Sequence, residues 1–233
     1  MIPLGVLGSA RVEPAAPTWT PADLPNLLGW WDADDASTFS YSSGTTVSQW
    51  RDKGGRGKHL TPASTLAPAR NGTVNGRPSV FFDGTTGRRL KTANSTATLS
   101  KPQTLLLVAR STATSGQRTA VVTGSLDGRL FRTTDGTIDA YQGAFLSSRV
   151  PWGTTVHAAA AVLSGPASRI AVDSGSWVSG NAGQGVDFRD AWSIGAYHTG
   201  IEAWHGDICE FVHVSGDIGA AVTDWFAYAA SKW

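Results

Sequence analysis

Three carboxylates near the C-terminal end are the first candidates for chemistry in this sequence: Glu202, Asp207 and Glu210. Hydrolysis of a glycosidic bond needs two carboxyl groups that face one bond, roughly 5–10 Å apart. Alternate residues of a regular strand share a face, so side chains separated by an odd number of positions point to opposite faces. Both consecutive pairs here have odd separations. The spacing therefore predicts no catalytic pair, and we expect a protein that is not an enzyme.

Aromatic side chains indicate a second kind of chemistry, which is the binding of sugars. The C–H groups of a pyranose ring pack on an indole face, and the polar edge of the ring can still form hydrogen bonds. The chain has 10 Trp residues, and Trp177 is the leading candidate because Ser, Gly and Asn surround it. The predicted carbohydrate-binding residues are Trp177, Trp152, Trp204, Tyr197 and His198.

An acidic cluster directly follows the first predicted strand and could hold a metal ion. Asp32, Asp34 and Asp35 supply carboxylate oxygens, which are the ligands that Ca²⁺ prefers. The full calcium-loop pattern with its terminal Glu is missing, and Asp residues at such positions also hold backbone N–H groups in turns. Calcium is therefore the one cofactor that these residues could accept, and we otherwise expect none.

The composition excludes several classes of protein. The 233 residues include 19 Lys and Arg against 18 Asp and Glu, so the net charge is only +1. Without a cluster of basic residues in the sequence, we expect neither nucleic acid nor an anionic membrane as a partner. Motifs for acyl or phosphoryl transfer are also missing. Cys209 is the single cysteine, which rules out an internal disulfide and predicts a buried thiol.

Short apolar or alternating runs, separated by turn residues, predict a chain rich in strands. Asp135-Gly136 between two such runs is typical of a hairpin turn, because Gly accepts the positive φ that the turn needs. The predicted strands are residues 27–32, 47–51, 78–82, 88–92, 103–110, 118–123, 128–133, 137–142, 156–163, 168–173, 192–197 and 204–214.

The hydrophobic period changes at the C-terminal end of the chain. Apolar residues there follow helical spacing, which predicts one amphipathic helix over residues 217–232 with Asp217 as its cap. Many short strands followed by one helix are typical of a double-sheet jelly roll. The predicted fold class is therefore all-β, with one C-terminal α-helix.

Several short motifs occur in the order in which one known family carries them. The first is Trp30-Trp31-Asp32-Ala33-Asp34 in the opening strand. The sequence resembles the laminin-G-like, concanavalin A-like jelly-roll domains of bacterial surface and phage proteins. That resemblance implies a concanavalin A-like double-sheet sandwich, a fold whose members bind sugars, cut them or only build particles. The other matching segments are residues 49–53, 76–84, 192–196, 204–210 and 228–233.

The chain is predicted to consist of an N-terminal arm, residues 1–20, and one jelly-roll domain, residues 21–233. Its start lacks a recognisable export signal, and phage structural proteins need none because lysis releases them. We therefore expect a non-enzymatic virion protein of a phage particle, such as a minor tail or decoration protein. The arm would join it to other virion proteins, as a homo-oligomer or part of a larger assembly. The domain would contact host cell-wall glycans.

Two alternative functions stay open at this stage. One is a carbohydrate-active enzyme, a glycan hydrolase or lyase, on the same fold. The other is an adhesin module of a bacterial surface. Release of products from a cell-wall polysaccharide would identify the first, and a neighbouring anchor segment would identify the second.

Overall fold

A computed structural model of the chain describes residues 19–113, 115–123, 128–132, 135–185 and 188–233. Within these residues the protein is an antiparallel jelly-roll sandwich with one α-helix at its C-terminal end, which confirms the predicted fold class. No helix in this part of the chain is long and apolar enough to cross a membrane. The predicted arm, residues 1–20, lies outside the described residues except for Trp19 and Thr20.

Two sheets form the layers of the sandwich. The strands in chain order are β1 (Leu27–Asp32), β2 (Phe39–Ser43), β3 (Thr46–Trp50), β4 (Thr61–Pro62), β5 (Ala69–Val74), β6 (Arg77–Asp83), β7 (Leu90–Lys91), β8 (Thr98–Leu99), β9 (Gln103–Ser111), β10 (Arg118–Thr123), β11 (Gly128–Arg132), β12 (Thr137–Tyr141), β13 (Phe145–Pro151), β14 (Val156–Leu163), β15 (Ser168–Val172), β16 (Val178–Gly180), β17 (Phe188–Arg189), β18 (Trp192–Ile194) and β19 (His205–Ser215). The ten-stranded sheet has the order β16-β15-β14-β9-β19-β6-β5-β3-β2, and β1 also pairs with β19. The seven-stranded sheet has the order β13-β12-β11-β10-β18-β7-β4, and β8 pairs with β17 separately.

The core between the sheets contains stacked aromatic rings. Trp31 of β1 lies parallel to Phe211 of β19, with ring centroids 5.4 Å apart, and Trp192 of β18 tilts against Trp31 at 5.4 Å. These rings come from both sheets, so their contact joins the two layers. Such a pair contributes about 0.5–1.5 kcal/mol beyond the burial of its area. The Trp residues of the motif segments and the helix are also buried: Trp30, Trp50, Trp192, Trp225 and Trp233.

Most predicted strands are confirmed. The strands of two or three residues β4, β8, β16 and β17 were not predicted, and neither were three longer strands, β2, β5 and β13. The segment 156–163 forms β14 over its whole length, because its alanines pair with β9 on one side and β15 on the other. The three longer unpredicted strands contain many small or polar residues, which have weak strand propensity. Two of them, β2 and β13, lie at sheet edges. Their pairing therefore depends on neighbours rather than on local pattern.

The C-terminal helix α1 spans Ala221–Lys232 and begins later than predicted. The prediction that Asp217 caps this helix is wrong. The Asp217 carboxylate accepts two hydrogen bonds from the Arg169 guanidinium and one from the Gly219 N–H. Ala220 occupies the cap position and makes no side-chain cap bond. The buried side of α1 consists of Val222, Trp225, Phe226, Tyr228 and Ala229.

Candidate functional site

Cross-strand pairing places one row of side chains on the outer face of the seven-stranded sheet, the face directed away from the other sheet. Directly paired residues of antiparallel strands share a face. From β13 to β4 this row consists of Phe145, Tyr141, Arg129, Val122, Ser193, Lys91 and Thr61. The adjacent row, which includes Leu130, Ile194 and Leu90, points into the core. Aromatic rings therefore lie at one end of the outer face and positive charge at the other.

The outer face is hollow beside β7 and β18. Two adjoining hollows of about 410 and 400 Å³ share Lys91, Thr92, Asn94 and Ser95 in their linings. We call the combined hollow the basic groove, because its lining contains four cations and no described carboxylate. The four cations are Lys58, Arg89, Lys91 and Arg189.

The cations of the basic groove differ in how they are compensated. Lys58 Nζ lies 2.7 Å from Oδ2 of Asp190, which forms an ion pair. Arg189 donates only to a backbone carbonyl, and neither Arg89 nor Lys91 has an ion pair with any described residue. Partial burial lowers the pKa of Arg89, and its Nε has no hydrogen-bond partner. Three positive charges in one groove therefore have no counter-charge among the described residues.

At the other end of the face, Arg129 lies between two aromatic rings. Its guanidinium carbon is 4.4 Å from the ring centroid of Tyr141 and 4.5 Å from that of Tyr197. The same guanidinium donates to Glu202 Oε2 at 3.0 Å, and the Thr119 hydroxyl donates to this oxygen at 2.7 Å. Cation–π contacts and the ion pair together hold these side chains in place. Neither Arg129 nor Tyr141 was singled out from the sequence.

Two of the predicted carbohydrate-binding residues lie in the core. Trp152 and Trp204 are fully buried and pack edge to face, with centroids 4.9 Å apart. They therefore offer no face to a sugar, and the prediction is wrong for both. Burial of an indole removes a large apolar area from water, which favours these two rings in the core.

The other three predicted residues have different surroundings. Trp177 is half-buried, and the Arg169 guanidinium lies over its ring at 4.5 Å, on a face that a sugar would use. Tyr197 and His198 contact each other edge to face at 4.1 Å. His198 lines the basic groove, and Tyr197 packs on Arg129. The structure therefore brings two of the five predicted residues to the outer face of the seven-stranded sheet.

The acidic cluster predicted for calcium binds cations of the protein itself. Lys53 Nζ lies 3.0 Å from Asp32 and 2.9 Å from Asp35, and Arg77 lies 2.5 Å from Asp34. Among the described residues, no group of three or more His, Cys, Asp or Glu side chains could hold a metal ion. Asp32 and Asp35 thus share the Lys53 ammonium, whereas Asp34 pairs with a different cation, Arg77.

The carboxylates of β19 do not follow the alternation expected from the sequence. Asp207 pairs with Arg110 of β9 and Glu210 pairs with Val108, with a register shift after Ile208. A β-bulge adds one residue at this point, so Asp207 and Glu210 share a face. The prediction that they point to opposite faces is wrong. Both are nevertheless fully buried, which removes them as an accessible catalytic pair.

Glu210 is the centre of a buried network below α1. Its Oε1 accepts hydrogen bonds from Trp30 Nε1 at 2.6 Å and from the Tyr228 hydroxyl at 2.9 Å. Its Oε2 accepts from Trp233 Nε1 at 2.8 Å and from Lys232 Nζ at 3.1 Å. Burial raises the pKa of Glu210, and the Lys232 ammonium opposes this shift. The network joins the first and last motif segments, so these motifs stabilise the fold.

No family model and no curated protein sequence matches this chain. Its fold is similar to solved structures of carbohydrate-active enzymes. Trypanosoma rangeli sialidase is 13% identical with a TM-score of 0.57, over 89% of this chain and 33% of that one. A GH54 α-L-arabinofuranosidase is 14% identical with a TM-score of 0.62, over 89% of this chain and 60% of that one. Domain 4 of AbnA, a GH43 extracellular arabinanase from Geobacillus stearothermophilus, in complex with arabinotriose, is 13% identical with a TM-score of 0.56, over 87% of this chain and 99% of that domain.

These neighbours share the fold, and this chain spans about a third of the sialidase and 60% of the arabinofuranosidase. They overturn the prediction of a non-enzymatic virion protein, because all three are enzymes that act on glycans or a domain of one. The β-sandwich agrees with them, whereas the phage assignment has no support. That prediction failed because one fold carries several functions and short shared motifs do not distinguish them.

Proposed function

We propose that this chain is the glycan-contacting β-sandwich of a carbohydrate-active enzyme, and that the glycan lies on the outer face of the seven-stranded sheet. The observation that carries the proposal is the basic groove on that face. Asn94, Ser95 and Thr92 supply both donors and acceptors, which sugar hydroxyls require. The volume of the groove falls within the ordinary range of ligand sites.

The aromatic end of the same face supports the proposal. Phe145 is 58% exposed, and its ring centroid lies 5.1 Å from that of Tyr141. Both residues belong to the row that continues to Lys91 in the groove. An exposed ring offers an apolar surface to the C–H face of a sugar, so a saccharide chain could contact the ring and the groove together.

The arabinanase domain supports the same role at the level of the whole fold. That domain corresponds to this chain over nearly its entire length, and its structure holds arabinotriose. A sandwich of this size is thus able to bind a glycan as one unit of a larger enzyme. The partial coverage of the sialidase and the arabinofuranosidase is consistent with such a unit.

Binding of the 233-residue chain to soluble polysaccharides tests this proposal. Affinity gel electrophoresis would compare arabinan, xylan and acidic polysaccharides. We expect Asn94→Ala and Phe145→Ala to weaken binding, since both side chains lie on the proposed face. Tyr41→Ala is the matched control, because Tyr41 is also exposed, at 40%, but belongs to the ten-stranded sheet. A folded protein that binds none of the polysaccharides would contradict the proposal.

Glycoside hydrolysis on the same face is a second candidate, favoured by two carboxylates in unlike surroundings. Burial raises the pKa of Asp139, whereas Glu202 is ion-paired with Arg129. The Thr119 hydroxyl of β10 donates a hydrogen bond to Glu202. The backbone of Thr119 lies two strands from that of Asp139 in β12, which is a separation of about 10 Å. A buried carboxyl group with a raised pKa and an ion-paired carboxylate on one face of a sheet are the kinds of group that an inverting glycosidase uses as its acid and its base.

Release of reducing ends from any polysaccharide that binds would test the second candidate. We expect Asp139→Asn and Glu202→Gln each to remove activity while leaving the glycan bound. Asp224→Asn, on the exposed side of α1, is the control. A wild-type protein that binds a polysaccharide and releases no product would exclude hydrolysis and leave the binding role intact.

A further inference from the structure

The lining of the basic groove specifies the charge of its ligand. We propose that the groove binds a carboxylated saccharide, such as a uronic acid unit of a polysaccharide, and that Arg89, Lys91 and Arg189 bind its carboxylate. This inference rests on the proposed function and names its substrate class. Neutral sugars such as arabinose would form no ion pair with these three cations.

The positive charge is a property of the groove and not of the whole protein. The chain carries a net charge of +1, whereas the groove lining has four cations and no described carboxylate. Asp190 compensates only Lys58 within this set, at 2.7 Å. Like charges that share a groove repel one another, and partial burial makes the repulsion stronger than in bulk water. An anionic ligand would relieve this repulsion on binding.

The fold holds the uncompensated cations around one space. Arg89 and Lys91 alternate along the strand and therefore project to the same side, where Lys91 is paired with Ser193 of β18. Arg189 reaches the groove from β17. Gly200 lies against the Arg89 guanidinium, since a Cβ there would be 2.5 Å from Nη1. A guanidinium held in this way can donate two parallel hydrogen bonds to a carboxylate.

The rest of the lining favours a saccharide over nucleic acid. Single-stranded nucleic acids bind to exposed aromatic rings on which bases stack. Apart from histidines, the aromatic residue in the described lining of the groove is Trp192. Trp192 is only 2% exposed, so it offers no surface on which a base could stack. Nucleic-acid binding also requires a track of many phosphate contacts. The groove is instead compact and lined by hydroxyl and amide groups such as those of Thr92, Asn94 and Ser95.

Polygalacturonate and its fully methyl-esterified form provide the test, because they share one sugar backbone and the ester replaces each carboxylate with a neutral group. Isothermal titration calorimetry would measure both with the full chain, alongside alginate and hyaluronan. We expect an acidic polymer to bind at least tenfold more tightly than the ester, and less tightly as NaCl rises. Arg89→Gln, Lys91→Gln and Arg189→Gln should each weaken binding of the acid about tenfold. Arg77→Gln, which removes a positive charge from the ten-stranded sheet, should have no effect.

Each other outcome would count against the proposal in a distinct way. Equal affinity for the acid and the ester, or binding to neutral polysaccharides alone, would contradict the proposal that the cations bind a carboxylate. Either result would leave the proposed glycan-binding function intact. Failure to bind any polysaccharide would remove both. Tighter binding of oligo-dT or heparin would assign the groove to phosphate or sulfate instead. Arg189→Lys keeps the positive charge but loses the planar guanidinium that can donate two parallel hydrogen bonds, so its loss of affinity should be intermediate. Thermal unfolding would confirm that every variant is folded.

Discussion

The two outer faces of the sandwich differ in how their charged side chains are compensated. On the ten-stranded sheet, Asp207 and Glu210 are fully buried, and each contacts a cation, Arg110 at 2.6 Å and Lys232 at 3.1 Å. On the seven-stranded sheet, the basic groove has three cations for which the described part of the chain supplies no acidic partner. The C-terminal helix and Trp233 cover Glu210 on the first face, whereas the groove on the second face is open to solvent.

This difference separates structural charge from charge that is available to a ligand. A buried carboxylate is stable only if hydrogen bonds and a counter-charge replace the water that it loses. Cations in an open groove keep part of their hydration, and salt screens their repulsion. Buried ion pairs such as Glu210–Lys232 therefore act structurally, and we assign the unpaired cations of the basic groove to the glycan.

The largest effect is expected when the buried network loses its acceptor. Glu210→Ala should reduce the free energy of unfolding by about 3–5 kcal/mol. Lys232 and the indole N–H groups of Trp30 and Trp233 would lose a buried partner. Urea unfolding followed by Trp fluorescence measures this change. Asp224→Ala, on the exposed side of α1, should stay within about 0.5 kcal/mol, and a similarly small loss for Glu210→Ala would contradict the structural role of this network.

The stability of the protein should depend on pH because of one buried histidine of the ten-stranded sheet, His213. His213 is fully buried and accepts a hydrogen bond from Trp192 Nε1 at 2.7 Å, and burial lowers its pKa to about 3. The unfolded chain has a His pKa of about 6.5, so between these values only the unfolded state binds the proton. The free energy of unfolding should therefore fall as the pH drops from about 6.5 to about 3.

Urea midpoints across this pH range measure the slope. We expect His213→Gln to remove part of the slope and His205→Gln, in a partly exposed position of the same strand, to retain it. Equal slopes for the two variants would show that His213 does not carry the effect.

Neutralising the groove should affect stability far less than disrupting the buried network. Arg89→Gln and Lys91→Gln are expected to change the free energy of unfolding by no more than about 0.5 kcal/mol, because neither side chain forms an ion pair with a described residue. Urea unfolding would measure them beside Glu210→Ala. A loss of several kcal/mol for either variant would show that the groove cations are structural.

Trp177→Ala is expected to have the smallest effect on binding. The Arg169 guanidinium already covers the ring, so the substitution removes a cation–π contact worth about 0.5–1 kcal/mol of stability. Affinity gels should show glycan binding within twofold of the wild type. Loss of binding would instead support the prediction from the sequence that Trp177 contacts the glycan.

The sequence was sufficient to predict most strands but only part of the candidate site. His198 and Tyr197 were predicted and do lie on the outer face of the seven-stranded sheet. The other members of the groove come from distant segments, such as Lys58 and Arg189, which no local pattern connects. Arg89 and Lys91 alternate within the predicted strand 88–92, and this spacing was a signal that their side chains share a face.

The alternation of apolar residues, the turn residues and the final helical period determined the all-β class with a C-terminal helix, because these patterns act between near neighbours in the chain. Tertiary structure alone decided which Trp residues are buried, that a bulge places Asp207 and Glu210 on one face, and which cations find an acid. These outcomes depend on contacts between strands that are far apart in sequence. The energy of a charge depends on what surrounds it in space, so the sequence could name the charged residues but only the folded sandwich could pair some and leave others for a ligand.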